Sequence, residues 1–253
     1  MPVLWLGKLV EFDEAMEMHQ LSRHISEQYD AELEIVRRRL MEMGGMVEQQ
    51  LRDAIKAIST YDAELAAKVS VRDHEVNRFE VTLDEQCIHI IARRQPTATD
   101  LRLLVTVMKS STDLERIGDE ANRIAKMARE LANLEYQKNL YGETARLGQL
   151  ATMMVSRALD ALARLDTKEA LDLIASDKQV DEEYRSVIQM LANSMTEDPD
   201  AVERDLHLIW VARSLERIGD HAKNISEYVL YLVEGRDIRH LPKGTFGTLK
   251  PDS

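Results

Sequence analysis

The sequence has little cysteine, little proline and no long apolar run. The single cysteine, Cys87, excludes an internal disulfide and is typical of a reducing compartment. We interpret it as a small buried apolar residue. Five prolines among 253 residues leave long stretches free of the strongest helix breaker. No apolar run approaches the roughly 20 residues that cross a bilayer, so we expect no direct membrane insertion.

Positive charge is also in deficit. The chain has 33 Lys and Arg against 45 Asp and Glu, a net charge of −12. This charge repels nucleic-acid phosphates and anionic membranes, and it suits cations or basic protein surfaces. We therefore expect no nucleic-acid partner. With 44% hydrophobic residues, the chain can bury a real core.

The common catalytic motifs are missing as well. The sequence contains no GxSxG, no HExxH, no cysteine pair and no glycine-rich loop that could hold a phosphate. None of its seven histidines follows a glutamate by three residues, although a ferritin-like di-iron centre needs two such ExxH motifs. These absences favour a binding protein over an enzyme, and we assign no catalytic or cofactor-binding residue.

The residues that are abundant form helices. Ala, Leu, Glu, Arg, Met and Gln favour helix, and short polar segments interrupt them at intervals. Six long helices are predicted, at residues 25–59, 62–94, 97–137, 143–165, 167–196 and 200–234. In the first, apolar residues spaced by three and four predict a core-facing stripe: Val36, Leu40, Met43, Val47, Leu51, Ala54 and Ile58. The sequence therefore predicts an all-α fold.

One dodecamer occurs twice. LERIGDEANRIA at 114–125 returns as LERIGDHAKNIS at 215–226, with eight identical positions. A weaker echo lies one helix earlier, where DHEVN at 73–77 resembles DKQVD at 177–181. The repeat predicts two tandem three-helix bundles. We expect them at residues 24–140 and 141–236, after a poorly ordered N-terminal extension, 1–23, and before a C-terminal tail, 237–253.

Acidic residues one helical turn apart recur in both repeats and face away from the apolar seam. Like charges at i, i+4 repel, which costs a few tenths of a kcal/mol unless a cation neutralises them. Oxygen ligands on neighbouring helices suit iron, zinc, manganese or magnesium. The candidate metal ligands are Glu115, Asp119, Glu216, Asp220, Asp73, Asn77, Asp177 and Asp181. Because Asn77 replaces the second acid of its pair, we expect the first repeat to hold fewer or more weakly bound ions than the second.

Glycines and one histidine complete the set of candidates. Gly118 and Gly219 lie inside the repeated helices, where glycine costs about 1 kcal/mol against alanine. They indicate close approach of another helix or of a hydrated metal cluster. Gly44 and Gly45 indicate a kink or close packing in the first helix. His221 has no counterpart in the first repeat, so we expect it at the surface or as an occasional ligand.

Several motifs in order resemble the PhoU family of phosphate-transport accessory proteins, over residues 24–240. They are MEMGGMVEQQL (41–51), RDHEVNRFE (72–80), ARRQPTATDLR (92–102), LERIGDEA (114–121), DKQVDEEY (177–184) and ARSLERIGDHAKNISEYV (212–229). The resemblance implies two similar three-helix bundles that bind metal through E/DxxxD motifs. These motifs match Glu115 with Asp119 and Glu216 with Asp220, and less closely the pairs on the preceding helices.

The resemblance also implies a function. A PhoU-like protein would be a cytoplasmic negative regulator of the phosphate-starvation response and of phosphate uptake. It would act as an adaptor between the ATPase subunit of the phosphate ABC transporter and the phosphate-sensing histidine kinase, and we expect a homodimer. Two alternatives stay open. A carboxylate-bridged metalloenzyme would show turnover with Mn²⁺ or Fe²⁺, whereas a purely structural helical scaffold would bind no metal.

Overall fold

The part of the chain that the structure describes folds into six long helices. The computed structural model describes the backbone of residues 3–132 and 141–237 and the side chains of 27–132 and 144–237. The helices are α1 (Val3–Thr60), α2 (Ala63–Arg94), α3 (Ala98–Ala132), α4 (Tyr141–Arg164), α5 (Thr167–Glu197) and α6 (Val202–Glu234), with a 3₁₀ turn, Pro199–Ala201, between the last two. These residues contain no strand, and the predicted all-α fold is confirmed.

The helix bounds differ from the prediction mainly at the N-terminus. α1 begins at Val3 and not near residue 25. The side chains before residue 27, the predicted end of α3 at 133–137 and the tail from residue 238 lie outside the described residues. The poorly ordered extension and the tail therefore stay predictions.

The same turn precedes α2 and α5. Tyr61 and Leu165 both adopt the left-handed conformation, with φ of 53° and 54°. The next residue in each case is an aspartate that caps the following helix. Asp62 accepts a hydrogen bond from a backbone N–H three residues later at 2.9 Å, and Asp166 accepts the matching bond at 3.0 Å. The internal repeat therefore extends to local backbone conformation.

Two three-helix bundles share one hydrophobic core. α1, α2 and α3 pack together, and so do α4, α5 and α6. α3 packs against α6, and α1 against α4, which joins the halves. The predicted seam of α1 is buried throughout, which confirms the helical stripe. The corresponding seams of α3 and α6 are buried too: Leu114, Ile117, Ala121, Ile124, Ala128 and Leu131, and Val211, Leu215, Ile218, Ala222, Ile225, Val229 and Leu232.

Close packing explains one glycine of the first helix but not its neighbour. A Cβ on Gly44 would lie 2.5 Å from Leu159 Cδ2 on α4. A Cβ on Gly45 would meet nothing within 4 Å. Gly44 therefore allows α1 and α4 to pack closely. Close packing was one of the two roles predicted for these glycines, the other being a kink.

Close approach also explains the glycines of the repeated segment. A Cβ on Gly118 would lie 3.4 Å from Val76 Cγ1 of α2, and one on Gly219 would lie 3.2 Å from Val180 Cγ1 of α5. The second helix of each bundle thus packs directly over the glycine of the third. Of the two predicted reasons for these glycines, the geometry supports the close approach of a helix.

Two predictions about scarce features can be checked on the same helices. Cys87 is free and fully buried, and burial raises the pKa of its thiol to about 12. It is a small core residue, as expected. Across the described helices, none combines the length and the apolar character needed to cross a membrane.

Candidate metal site

The predicted ligands form two groups, one in each bundle. We call Asp73, Asn77, Glu115 and Asp119 the first acidic patch, and Asp177, Asp181, Glu216 and Asp220 the second acidic patch. In each patch the first two residues lie on the second helix of the bundle and the last two on the third. The charge of Asp73 acts on Asp119 and that of Asp177 acts on Asp220, so carboxylates of the two helices lie near one another in each patch.

Each patch has a buried base and an open rim. Asp73 is 5% exposed and Asp177 is 7% exposed, although the sequence pattern suggested a patch lying wholly on the surface. Glu115, Asp119 and Glu216 are half-buried, and Asp220 is exposed. A cation bound at either patch would therefore contact one carboxylate at the protein interior and keep water ligands on its outer side.

Amide groups hold the base of the first patch. Gln50 Nε2 donates to Asp73 Oδ1 at 3.0 Å and to the Gly118 carbonyl at 3.1 Å. Asn122 Nδ2 donates to Asp73 Oδ2 at 2.8 Å. Both oxygens of the carboxylate are thus fixed by neutral donors, which orient it without cancelling its charge.

An ammonium group holds the base of the second patch. Lys223 Nζ donates to Asp177 Oδ2 at 2.7 Å. Lys223 stands 101 residues after Asn122, at the same place in the repeat. The same position therefore supplies a neutral donor in one half and a positive charge in the other.

Charge repulsion and lost hydration act on the four acids that the third helices contribute to the patches. The pKa of Glu115 is raised by burial and then by the charge of Asp119, and the pKa of Asp119 is raised by burial and then by Asp73. The pKa of Glu216 is raised by burial and then by Asp220. The pKa of Asp220 is raised too, by lost hydration around its carboxylate although the residue as a whole is exposed, and then by the charge of Asp177. Ionised, these acids repel one another, and a bound cation would relieve that repulsion.

Glu80 is a neighbour that sequence reasoning missed. Its charge further raises the pKa of Glu115, and its carboxylate accepts a hydrogen bond from Thr112 at 3.3 Å. With Glu80 the first patch has as many carboxylates as the second, and it lacks the ammonium of Lys223. The expectation of weaker binding in the first repeat depended on Asn77 alone, and these two neighbours argue against it. The sequence did contain a signal for this residue, since Glu80 follows Asn77 by about one helical turn and so lies on the same face of α2.

The residues present fit a hydrated cation better than a closed metal centre. In the described part of the chain, no three His, Cys, Asp or Glu side chains converge as a ready metal-binding group. Within the two acidic patches, two buried oxygens nevertheless lack a hydrogen-bond partner, Asn77 Oδ1 and Glu216 Oε2. The other oxygen of Glu216 accepts a hydrogen bond from Arg213 at 2.9 Å. Unpaired oxygens beside mutually repelling carboxylates are suitable donors for a hard cation.

A second polar cluster joins α3 to α6, and its partners could not be seen in the sequence. Asp113 is 2% exposed and accepts from Tyr228 Oη at 2.8 Å and from Asn224 Nδ2 at 3.2 Å. His221 Nδ1 lies 2.7 Å from the same carboxylate. His221 is therefore buried between the two bundles, and the expectation of a surface position is wrong. Sequence spacing gave no signal for a contact across 108 residues.

Glu120 occupies the matching place on the other side of this interface. It is 3% exposed, it accepts from Ser214 Oγ at 2.9 Å, and Arg217 Nε and Arg123 Nη1 lie 2.9 Å and 2.7 Å from its carboxylate. The contacts Asp113–His221 and Ser214–Glu120 are equivalent in the repeat. Asp113 and Ser214 are 101 residues apart, and so are Glu120 and His221. The halves are thus related by an approximate twofold axis.

The fold and the two patches define a class of protein: a duplicated three-helix bundle with an acidic patch on each half. Comparison with known proteins gives the family. The PhoU domain matches residues 40–128 and 144–229, once in each bundle. The chain therefore belongs to the PhoU family.

Individual relatives agree over most of their length. The chain is 48% identical over 221 residues to a Pseudomonas aeruginosa protein named phosphate-specific transport system accessory protein PhoU homolog, which covers 87% of this chain and 91% of the relative. It is 45% identical over 226 residues to the Escherichia coli protein named phosphate-specific transport system accessory protein PhoU, which covers 89% of this chain and 93% of the relative.

Solved structures show the same fold. The crystal structure of PhoU from Pseudomonas aeruginosa superposes with a TM-score of 0.80 at 48% identity and covers 82% of this chain and all of that one. The crystal structure of the phosphate transport system regulatory protein PhoU from Streptococcus pneumoniae gives a TM-score of 0.76 at 25% identity, with 83% and 98% covered.

Proposed function

We propose that the chain is a non-enzymatic negative regulator of the phosphate-starvation response and of phosphate uptake. In this role it acts in the cytoplasm as an adaptor between the ATPase subunit of the phosphate ABC transporter and the phosphate-sensing histidine kinase. Two copies form a homodimer.

The family membership carries this proposal. The Pseudomonas and Escherichia relatives are named accessory proteins of phosphate-specific transport, and the Streptococcus structure is titled a regulatory protein. The shared fold supports a role in protein contacts, because rigid helical faces present fixed surfaces to partners without doing chemistry.

Gene deletion tests the regulatory role. The gene is deleted in the organism that encodes it, and alkaline phosphatase is assayed in phosphate-rich medium. Loss of the negative regulator should raise this activity from its repressed level, and a plasmid copy of the intact gene should restore repression. Unchanged, repressed activity in the deletion strain would contradict the regulatory proposal.

The second part of the proposal is that both acidic patches bind metal ions. Asp73, Glu115 and Asp119 would hold a cation in the first half, with the Asn77 amide oxygen beside them. Asp177, Asp181, Glu216 and Asp220 would do so in the second. The bound ion would be iron, zinc, manganese or magnesium, and it would neutralise carboxylates that otherwise repel one another across two helices. The ion would thereby stabilise the packing of the second helix of each bundle on the third.

Elemental analysis tests the metal sites. Glu216→Ala combined with Asp220→Ala should lower the metal content of purified protein by the share of the second patch. Asp30→Ala with Glu34→Ala is the matched control, because these exposed acids on α1 have the same spacing and lie outside both patches. Metal content that is equal in both variants and the wild type would contradict the assignment. Absence of metal from the wild type would favour the purely structural scaffold.

A further inference from the structure

α6 carries an exposed apolar stripe near its N-terminus. Trp210 is 64% exposed, Leu206 is 48% exposed and Val202 is 37% exposed. The three residues are spaced by four, so they lie along one face of the helix. A tryptophan this exposed is unusual for a monomer surface and is typical of interface anchors.

The position of Trp210 follows from the contacts of its neighbours on α6. Arg217, two helical turns later, contacts Glu120 of α3. His207 Nδ1 lies 3.3 Å from Met127 Sδ, also on α3. Residues seven apart share a helix face, so Trp210 lies on the side of α6 that borders α3.

Basic residues of α3 and α6 lie near the level of this tryptophan. Because α3 and α6 run antiparallel, Arg123 and Lys126 of α3 lie level with Trp210, while Arg213 and Arg217 follow it along α6. All four basic residues are exposed. Three acids lie beside these four basic residues. The buried Glu120 is paired with Arg123 and Arg217, Glu216 is paired with Arg213, and the charges of Arg123 and Lys126 act on Asp119. Four positive and three negative charges leave the patch with a net positive charge, in a chain whose net charge is −12.

The other half of the molecule shows that the fold does not require this patch. The residue equivalent to Trp210 is Lys109, whose ammonium lies over the Tyr228 and Tyr231 rings at 5.6 Å and 5.4 Å from their centroids. At the positions equivalent to Arg123, Lys126 and Arg213 the chain has Asn224, Glu227 and Thr112. The same helical frame is thus built in the first repeat without the tryptophan and with only one of the four basic residues.

We propose that Leu206, Trp210 and the four basic residues, together the Trp210 surface, dock an acidic segment of a protein partner. An apolar side chain of that segment covers Trp210, and its carboxylates pair with the surrounding arginines and lysine. Tryptophan and arginine are the residues that most often dominate interface affinity, and the opposite charge of the partner would guide its approach. The proposal deepens the adaptor function, on which it rests for the existence of a partner.

Charge favours this occupant over two others. A second copy docked through the same surface about a twofold axis would bring its own basic residues against these. An anionic membrane would attract this patch, but it would repel the rest of a chain with net charge −12. An acidic protein segment meets neither obstacle, because it can be small enough to contact the patch alone.

Site-specific photocross-linking in cells tests what covers the surface. The photoreactive amino acid p-benzoylphenylalanine replaces Trp210 in the full chain, and in a control it replaces Val81, which is 53% exposed on α2. Mass spectrometry then identifies the adducts. We expect position 210 to give a protein adduct whose cross-linked peptide is rich in Asp and Glu. An adduct with lipid, an adduct with a second copy, or no excess over position 81 would overturn the proposal.

Binding measurements test how much each residue contributes to affinity. They use the purified partner protein that the cross-linking identifies. Trp210→Ala should raise the dissociation constant about tenfold or more. Lys126→Glu should also weaken binding and should lessen its dependence on salt concentration. Val81→Ala and Lys68→Glu, changes at exposed positions elsewhere, are the controls and should bind as the wild type does. Equal affinity for all four variants, each shown to be folded by circular dichroism, would overturn the proposal.

The two proposals fail in different ways. If the wild type binds the transporter ATPase or the kinase and Trp210→Ala binds equally well, the docking surface is wrong and the adaptor function stands. If position 210 cross-links to an acidic segment of some other protein and the binding variants weaken that contact, the docking surface stands and the proposed partners are wrong.

Discussion

At the scale of single residues, the partner of a side chain decides its role. Asp73 and Asp177 are the same residue type, at equivalent repeat positions and nearly equal burial. One accepts hydrogen bonds from neutral amides and the other from the Lys223 ammonium. With Glu80 counted, the first patch has as many carboxylates as the second and no ammonium at its base, so by these groups it is the more negative of the two although it contains Asn77.

Exchanging these partners should exchange the cation affinities of the patches. Lys223→Asn removes a positive charge that competes with a cation for Asp177, so Mn²⁺ should bind the second patch more tightly by roughly 1 kcal/mol. Asn122→Lys should weaken the first patch by a similar amount. Isothermal titration calorimetry can measure each patch alone when the acids of the other are replaced by amides. Affinities that do not change in opposite directions would contradict the role given to Lys223.

The candidate site was predictable from the sequence only where the signal lies within one helix. Glu115 with Asp119 is a local pair, and its recurrence as Glu216 with Asp220 distinguished it from an ordinary charged helix face. Three residues near the patches were not predicted. Gln50 reaches the first patch from α1, and Glu80 and Lys223 lie one turn beyond the predicted ligands on α2 and α6. Their involvement depends on how the helices are aligned, which local spacing does not encode.

At the scale of elements, two adjacent glycines of α1 should respond oppositely to alanine. Gly45→Ala adds a methyl group into open space and should raise the free energy of unfolding by up to about 1 kcal/mol, through helix propensity. Gly44→Ala brings the same gain in helix propensity, but its Cβ would lie 2.5 Å from Leu159 Cδ2 and force that side chain to move, so the net change should be a loss of about 1 kcal/mol. Urea unfolding measures both.

A double variant tests the reason for the Gly44 effect. Leu159→Ala alone should destabilise the protein by removing apolar contacts. Combined with Gly44→Ala it should cost less than the sum of the two single changes, because the clash is gone. Strict additivity would show that close approach of α4 is not the cause.

The end of α2 is held to α1 by a two-point ion pair. Arg94 Nε and Nη2 donate to the two carboxylate oxygens of Glu32 at 2.9 Å and 2.8 Å. The hydrogen bond from Arg94 lowers the pKa of Glu32 below its ordinary value of 4.5. A carboxyl group with a lowered pKa stabilises the folded state above its ordinary pKa and loses that effect as the pH falls.

Glu32→Gln should therefore lower the free energy of unfolding by about 1 kcal/mol at pH 7. The difference from the wild type should shrink as the pH falls below 4.5, the ordinary pKa of the group. Glu34→Gln is the control, because Glu34 is 72% exposed and only 3.6 Å from Arg37. Denaturant unfolding at a series of pH values makes the comparison, and a constant difference down to pH 3 would exclude the ion pair as its cause.

The elements themselves were largely predictable. Proline and the turn residues mark the helix ends, and the apolar period identifies the buried faces, so every residue predicted for the seam of α1 is buried. The continuation of α1 back to Val3 was not predicted. The sequence offers no clear start signal for this helix, and the expected start at residue 25 was set only by the apolar stripe that follows it from Val36.

At the scale of the whole molecule, the two bundles form one unit through a repeated contact. Asp113 with His221, and Ser214 with Glu120, occupy equivalent positions across the α3–α6 interface. Gly44 against Leu159 adds the α1–α4 contact. A continuous hydrophobic core and two buried polar contacts cross the boundary between the bundles. Each bundle therefore buries part of its surface against the other.

This arrangement predicts a single unfolding transition with an uneven response at the interface. Asp113→Ala removes the acceptor of three buried contacts and should lower the free energy of unfolding by about 3 kcal/mol. Ser214→Ala, the equivalent position, removes one hydrogen bond to Glu120, which keeps Arg217 and Arg123, and should cost about 1 kcal/mol. The difference arises because the Asp113 change leaves polar groups buried without this partner.

Circular dichroism and tryptophan fluorescence together check the prediction. In a Trp5→Phe background Trp210 is the only tryptophan and reports on the second bundle, while circular dichroism reports on every helix. The two signals should change at the same urea concentration in the wild type and in both interface variants, since coincident transitions indicate one cooperative unit. Separate midpoints in the wild type would show that the bundles unfold independently. Coincident midpoints with equal costs for Asp113→Ala and Ser214→Ala would show that the polar contacts of Asp113 contribute no more than a single hydrogen bond.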